Sequence, residues 1–436
     1  MVRSAARDEG DAVADEVSRT DTATVAREIE TVWRLEAAKV VATLARMVGD
    51  LGRAEDLAQD ALVEAMQSWP RTGIPRNPAA WLTSVAKRRA IDAWRRDERA
   101  AEKYALIAAA EAGDGDAIEP DETRIDDDLL RLVFVCCHPV LPAPSRVALA
   151  LRVLCGLTTE EIAHAYLVPP ATIGQRITRA KRALAAANVP FEVPDRDEFD
   201  ERLGSVLEVV YLVFNEGYAA TFGDEWMRPT LAEEAMRLGR VLAELVPEHA
   251  EAHGLVALME LHASRFAARR AADGAAVPLT SQDRTLWDRL LIAHGVAALQ
   301  RADALGGPRG PYALQAAIAA CHATATSADA TDWPQIAGLY DVLVERMPSP
   351  VVQLNRAVAV GMAYGPQAGL EALEPLGAEK SLSTYALLPA VRGDLLERLG
   401  RLSEARRAFL SAASLTANER ERDELLRRAS EADPLG

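Results

Sequence analysis

Residues 156–184 read GLTTEEIAHAYLVPPATIGQRITRAKRAL, and their spacing predicts two helices meeting at a sharp angle. Thr158 is placed to cap the first, with Glu160 and Glu161 in a first turn that favours negative charge. Ile162 and Ala163 face inward, and the helix fades near Tyr166. Leu167 and Val168 supply the turn. Pro169 and Pro170 cannot extend a helix but can open the next one. That second helix is expected from about Ala171 to Ala185. Its Ile173, Ile177, Ala180 and Leu184 recur at three- and four-residue intervals and share one buried stripe. Arg176, Arg179, Lys181 and Arg182 fill much of the rest, with no acidic residue in the stretch. In a chain of net charge −16, such a helix points to a phosphate-bearing partner.

This is the helix-turn-helix plan, whose second helix enters the major groove of DNA. Thr172 and Gln175 are the polar residues at its start, where bases are met. Arg176, Arg179 and Arg182 are set to hold the backbone. The competing account is an amphipathic hairpin with a solvated basic face. The Thr-Glu-Glu-Ile-Ala opening, the turn and the basic helix together favour DNA.

Working outward, the composition is 49% hydrophobic but only 5% aromatic, which favours helices, and no convincing alternation of period two appears. An all-α chain is expected. With 49 basic against 65 acidic residues, any contact with nucleic acid must be confined to local patches. Cys136, Cys137, Cys155 and Cys321 make no disulfide framework. Cys136-Cys137-His138 with Cys155 lacks metal-ligand spacing, so buried small hydrophobes are expected and neither metal nor cofactor. No stretch has the length of a membrane span and no apolar signal core is present, so no membrane role and a cytoplasmic location are expected.

Residues 1–24 carry Asp8, Glu9, Asp11, Asp15, Glu16 and Asp21 among small residues and read as a disordered acidic tail. Helical periodicity begins near Val25, with Ile29, Val32, Trp33, Leu35, Val40, Leu44 and Met47 on the apolar side. In RAEDLAQDALVEAMQSW, residues 53–69, an inner face of Leu57, Ala61, Met66 and Trp69 is expected, with Glu55, Asp56, Gln59, Asp60 and Glu64 mostly outside. After a proline-rich loop, residues 79–103 form a helix with Trp81 and Trp94 among seven basic residues from Lys87 to Lys103. Cations interleaved with rings suit unstacked single-stranded DNA, although for Trp81 a core role fits better. Residues 106–128 become strongly acidic and read as a linker.

The combination of AEDLAQDALVEAMQSW, NPAAWLTSVAKRRAIDAWRR and the helix-turn-helix resembles the extracytoplasmic-function (ECF) sigma factors of bacterial RNA polymerase, over about residues 25–187. The resemblance implies a sigma region 2 at 25–105 and a region 4 at 129–187. Asp56, Leu57, Gln59 and Asp60 then look like the surface that docks on core polymerase. Arg71, Asn77, Lys87, Arg88, Arg89, Asp92, Arg95 and Arg96 look like the −10 reader, which melts the promoter and holds flipped bases. Thr172, Gln175, Arg176, Arg179, Lys181 and Arg182 look like the −35 reader. Family members often carry Gly where this chain has Leu167, and Asn where it has Arg88. The implied partners are core RNA polymerase and promoter DNA.

The chain continues well past a typical small sigma factor. Residues 188–436 alternate candidate helices with Gly/Pro breaks and predict an irregular α-solenoid resembling tetratricopeptide repeats. Gly393, Leu396, Gly400, Ala405, Phe409 and Ala412 fall at the small and large positions of one repeat. Polar groups at Asn215–Tyr218, Gly310–Tyr312, Gln315, Asp332-Trp333, Tyr340-Asp341 and Asn355-Arg356 suit either a ligand surface or capping. The resemblance to sigma factors with such an extension implies a regulatory domain that meets a protein or small-molecule regulator. A stand-alone helix-turn-helix regulator leaves residues 53–103 unexplained. No nucleophile–base pair or phosphate loop favours an enzyme.

Overall fold

Glycine and side-chain caps set the helix boundaries of the first part. The computed structural model describes residues 28–96 and 122–432, apart from 30, 167, 219–228, 272–276, 380–381 and 417–418. The expected acidic tail, most of the expected linker and Leu167 lie outside the described residues. Helix α1 occupies 31–48 and stops at Gly49, whose φ of +69° suits a residue without a Cβ. Asp50 then caps α2, Leu51–Thr72, accepting from the Arg53 N–H at 2.7 Å. Gly73, at φ +79°, ends α2. Asn77 accepts from the Ala80 N–H at 3.0 Å and starts α3, Pro78–Arg96. Ala54, Ala58, Ala61 and Ala65 let α2 lie close to its neighbours, and Trp69 meets Trp81 edge to face at 5.2 Å.

The same part continues through α4, Glu122–Cys136, α5, Ala143–Val153, α6, Thr159–Ala165, and α7, Pro170–Ala186. Helix α4 takes in residues 122–128 of the expected linker, because Asp128 is buried there between Arg46 and Arg131. A charge in that position needs a fixed backbone rather than a solvated one. Helices α8, Arg196–Tyr218, and α9, Pro229–Leu245, form a hairpin. A Cβ on Gly217 would sit 2.4 Å from the Ala232 nitrogen, so this crossing requires glycine. The linear division places this hairpin with the C-terminal domain, but it packs on α4 and α5. Arg202 and Ser205 donate to the Phe134 and Cys137 carbonyls at 3.2 and 2.8 Å, satisfying acceptors that the end of α4 leaves open. The chain divides accordingly into units Met1–Leu245 and Val246–Gly436.

The second unit starts with α10, Ala250–Ala263, packed on α11, Arg289–Ala304, and α12, Pro311–Thr324. From there each helix packs on the next: α13, Trp333–Arg346, α14, Pro350–Tyr364, α15, Pro366–Leu373, α16, Leu387–Arg398, α17, Leu402–Leu415, and α18, Glu419–Glu431. Nearest-neighbour packing of this kind is the solenoid plan. The α16–α17 pair obeys the repeat pattern. Phe409 is fully buried, and a Cβ on Gly393 would come within 2.6 Å of its ring. Gly400 turns the chain at φ +72°. Helical spacing predicts helices over Glu251–Arg270 and Asp283–Ala304, but residues 264–271 and 277–288 run through turns that include the short 3-10 segments Phe266–Ala268, Leu279–Ser281 and Arg284–Leu286. No β-strand occurs among the described residues, and none of the described helices is long and apolar enough to cross a membrane.

Candidate DNA- and polymerase-binding faces

The helix-turn-helix forms as its residues dictate. The Thr158 hydroxyl accepts from the Glu161 N–H at 3.1 Å, and the Glu161 carboxylate accepts from the Thr158 N–H at 2.7 Å, a reciprocal capping box. Ile162 and Ala163 are buried, and α6 ends at Tyr166. Pro170 opens α7, and Ile173, Ile177, Ala180 and Leu184 are its buried residues, the predicted stripe. That burial turns the other side of the helix outward. Gln175, Arg179 and Arg182 are exposed, and Thr172 and Arg176 half-buried. Among the described residues no carboxylate pairs with Arg176, Arg179 or Arg182. Unpaired guanidinium groups on one face are what phosphate recognition needs.

Lys181 differs from this set. Its Nζ lies 2.5 Å from Glu55 Oε2, and Arg152 Nε lies 2.8 Å from the other oxygen. Glu55 was expected on the outer face of α2, but it is only 6% exposed. A buried carboxylate needs such partners, and here both come from the helix-turn-helix module. Arg34 on α1 pairs with Glu161, and Arg46 on α1 donates to Asp128 of α4 at 2.8 Å. Sequence periodicity carries no trace of these contacts, because each joins residues 82 or more positions apart.

The expected polymerase-binding residues separate by burial. Asp56 and Asp60 are exposed and Gln59 half-buried, but Leu57 is 7% exposed and belongs to the core between α2 and its neighbours. Met66, expected inside, is instead 56% exposed, as is Leu35 of α1; the alanines of α2 fill the contact and leave the longer side chain outside.

The residues expected to read −10 lie on α3 and the turn before it, except Arg71, which was expected in the loop but belongs to the last turn of α2 because that helix continues to Thr72. Arg71 and Lys87 carry no ion pair among the described residues, whereas the Asn77 side chain is used as a cap. Arg88 folds back on the Ser84 carbonyl at 3.4 Å. Arg89 donates to Glu64 at 2.8 Å and lies 3.4 Å from Asp60, and these acids raise its proton affinity further. Asp92 is exposed. The side chains of Arg95 and Arg96 lie outside the described residues.

The cysteines sit in apolar surroundings. Burial pushes the Cys137 and Cys155 thiols up to about 12 and raises Cys136 as well, which disfavours the thiolate. In the second unit, the polar groups noted in the sequence include helix caps and a pair between neighbouring helices. Glu251 accepts from the Tyr312 and Ala313 N–H groups at 2.8 and 3.0 Å, Asp332 caps Gln335 at 2.9 Å, and Arg356 pairs with Asp341 at 2.5 Å.

Two helical modules, one a helix-turn-helix with an unpaired basic face, define a DNA-binding transcription protein. Comparison with known proteins narrows the class. Residues 33–100 match the model of sigma-70 region 2, residues 131–184 that of sigma-70 region 4, and residues 202–303 a family of unknown function, DUF6596. The chain is 30% identical over 166 residues to the ferric citrate uptake sigma factor FecI of Escherichia coli (strain K12), covering 38% of this chain and 90% of that protein. It is 28% identical over 167 residues to the probable ECF RNA polymerase sigma factor SigI of Mycobacterium tuberculosis (strain ATCC 25618 / H37Rv), 38% of this chain and 57% of that one. Over 389 residues it is 46% identical to the uncharacterized protein R00370 of Rhizobium meliloti (strain 1021), 88% of this chain and 90% of the relative. The chain belongs to the ECF sigma factors, with a helical C-terminal extension.

Proposed function

We propose that this sigma factor binds core RNA polymerase and directs it to a specific set of promoters, with region 2 opening the −10 element, α7 reading −35, and the C-terminal helices regulating the outcome. The observation that carries this reading is the unpaired Arg176, Arg179 and Arg182 face on a helix-turn-helix whose buried stripe fixes its orientation. Thr172 and Gln175, at the exposed start of α7, suit base edges, and the arginines suit phosphates. Exposed Asp56 and Asp60, with half-buried Gln59 between them, offer an acidic docking face on α2. Arg71, Lys87 and Arg88 supply cations beside it, whereas Arg89 is taken up by Glu64 and Asp60.

Regulation by the C-terminal part is supported by a cleft of about 450 Å³ between α16, α17 and the preceding turn. Arg392 and Arg407 are exposed at this cleft, which also carries Glu404, paired with Arg401 and within electrostatic reach of both, above an apolar floor of Leu388, Leu396 and Leu415. That combination fits a regulator with negative charge beside an apolar group.

The test is transcription in vitro with core polymerase, comparing the full chain with a version ending at Leu245, where the first unit ends. Transcripts and core binding from both forms are expected, with a difference in yield that measures the second unit. If neither form binds core or starts transcripts while the full chain still binds DNA, an operator-binding regulator replaces this reading.

A further inference from the structure

The hairpin of α8 and α9 bears on how a −35 element can be read. Helix α5 runs up to the helix-turn-helix, and its Val147, Ala148, Leu149, Ala150 and Leu151 are each 7% exposed or less. Five consecutive positions point to every side of a helix, so α5 needs neighbours all round. Helices α4, α6 and α7 supply some of them, and α8 supplies another. The buried residues of α8, Val206, Leu207, Val209, Val210, Val213 and Phe214, spread over an arc wide enough to serve α9 and α5 at once. Phe199, just before them, meets Phe134 of α4 edge to face at 5.2 Å. The polar ties of the hairpin fall where chain direction is set. A helix leaves its last carbonyls open. Arg202 and Ser205 take two of these at the end of α4, and Arg237 of α9 donates to the Leu154 carbonyl, at the end of α5, at 3.3 Å. Glu234 holds the same guanidinium at 2.9 Å. Only Cys155, Gly156 and Leu157, all buried, lie between Leu154 and the Thr158 cap of α6.

We infer that the hairpin is a working part of the −35 reader, with Arg237 as a positioning residue that sets the pose of α7 through the end of α5. The inference rests on the sigma-factor reading above. Arg237 acts through the backbone rather than on DNA, because Glu234 and the Leu154 carbonyl already occupy its guanidinium. A short connection buried at each residue transmits a shift of α5 to α6 instead of absorbing it, since close-packed interiors are stiff. From α6 the turn carries the shift to α7, which itself packs on α5. The match to the family of unknown function begins at residue 202 and takes in the hairpin. Its first part thereby acquires a role in promoter reading, separate from the regulation proposed for the second unit.

The experiment uses the full chain with core polymerase on promoters selected in vitro with the unsubstituted protein, their spacer between −35 and −10 then varied one base pair at a time. Each added pair moves the −35 element by about 3.4 Å, so spacer preference reports the pose of α7. Arg237→Met keeps the apolar stem and removes the donors, whereas Arg237→Lys keeps a cationic donor. Arg237→Met is expected to lower the yield on the preferred spacer about tenfold, the worth of one hydrogen bond from a charged donor, and to flatten the preference. Arg237→Lys is expected to restore most of both. Thermal unfolding of the same samples identifies the variants whose first unit stays folded. If Arg237→Met does not fold, Ser205→Ala, which drops the tie to the Cys137 carbonyl, is expected to give a smaller flattening and decides the matter. A folded variant whose yield falls by the same factor at every spacer, or not at all, overturns the positioning role, and so does an Arg237→Lys that restores nothing. Failure of the sigma-factor reading appears separately, as no promoter recovered with the unsubstituted protein.

Discussion

Helices α7 and α18 both carry several arginines, and they use them differently. On α7, Arg176, Arg179 and Arg182 face outward without a carboxylate partner among the described residues. On α18, Arg427 is clamped by Glu424 and Glu431, and Arg428 pairs with Asp394 and Glu397 while lying 4.4 Å over the Phe409 ring. Basic content does not separate a reading surface from a structural one. Pairing does, because a guanidinium already neutralised offers a phosphate little, whereas an unpaired one releases counterions when it binds. Lys181 shows the distinction within one helix, since it is basic, lies among the α7 arginines, and is held by Glu55.

The comparison can be sharpened by substitution. Phe409→Ala has the largest expected effect, about 3–5 kcal/mol lost from the second unit, because the ring is fully buried against Gly393 and under Arg428. Thermal unfolding of the full chain checks it, with the first unit's transition unmoved. Arg176→Ala with Arg179→Ala should cost about 2 kcal/mol of promoter binding, roughly a 30-fold loss of transcript at limiting protein, and should flatten the salt dependence. Unfolding should be unchanged, and a loss of stability without loss of transcription would erase the contrast between α7 and α18. An acid titration should reveal a further difference. Burial beside Arg265 and Arg284 lowers the His322 imidazole from 6.5 to about 4. The unfolded chain therefore binds this proton first, and stability present above pH 6.5 is lost as pH falls towards 4. The loss approaches about 3 kcal/mol in the second unit as pH falls to 4, and His322→Gln should abolish that part of the pH dependence. Arg427→Ala has the smallest expected effect, a melting temperature barely moved, because its pairs are exposed and screened. Measurable loss of DNA affinity in that variant would break the comparison outright.

Much of the fold was legible because local chemistry specified it. The Thr158 cap, the Pro170 start and the stripe from Ile173 to Leu184 appear where spacing put them. The same holds for Gly393 against Phe409. The errors have a common cause. Met66 and Leu57 are both apolar on α2, yet one is exposed and the other buried, because alanines decide how closely the neighbouring helices approach. Glu55 looked like a surface acid for the same reason that Asp56 did, and only one of them meets another module. The 196–245 hairpin joins the first unit through Arg202 and Ser205, two residues that a linear reading treats as ordinary surface.

The sequence by itself determined the all-helical class, the helix-turn-helix, the candidate reading residues of α7 and the repeat-like pair at 387–415. These depend on interactions within a few helical turns, where residue spacing is geometry. Tertiary structure decided which charges are free and which are bound. That partition places Lys181 on the buried Glu55 and Arg89 on Glu64 at the surface, buries Asp128, and assigns the helical hairpin to the first unit. A side chain's charge is written in the sequence, but its partner is chosen by packing between segments far apart in the chain.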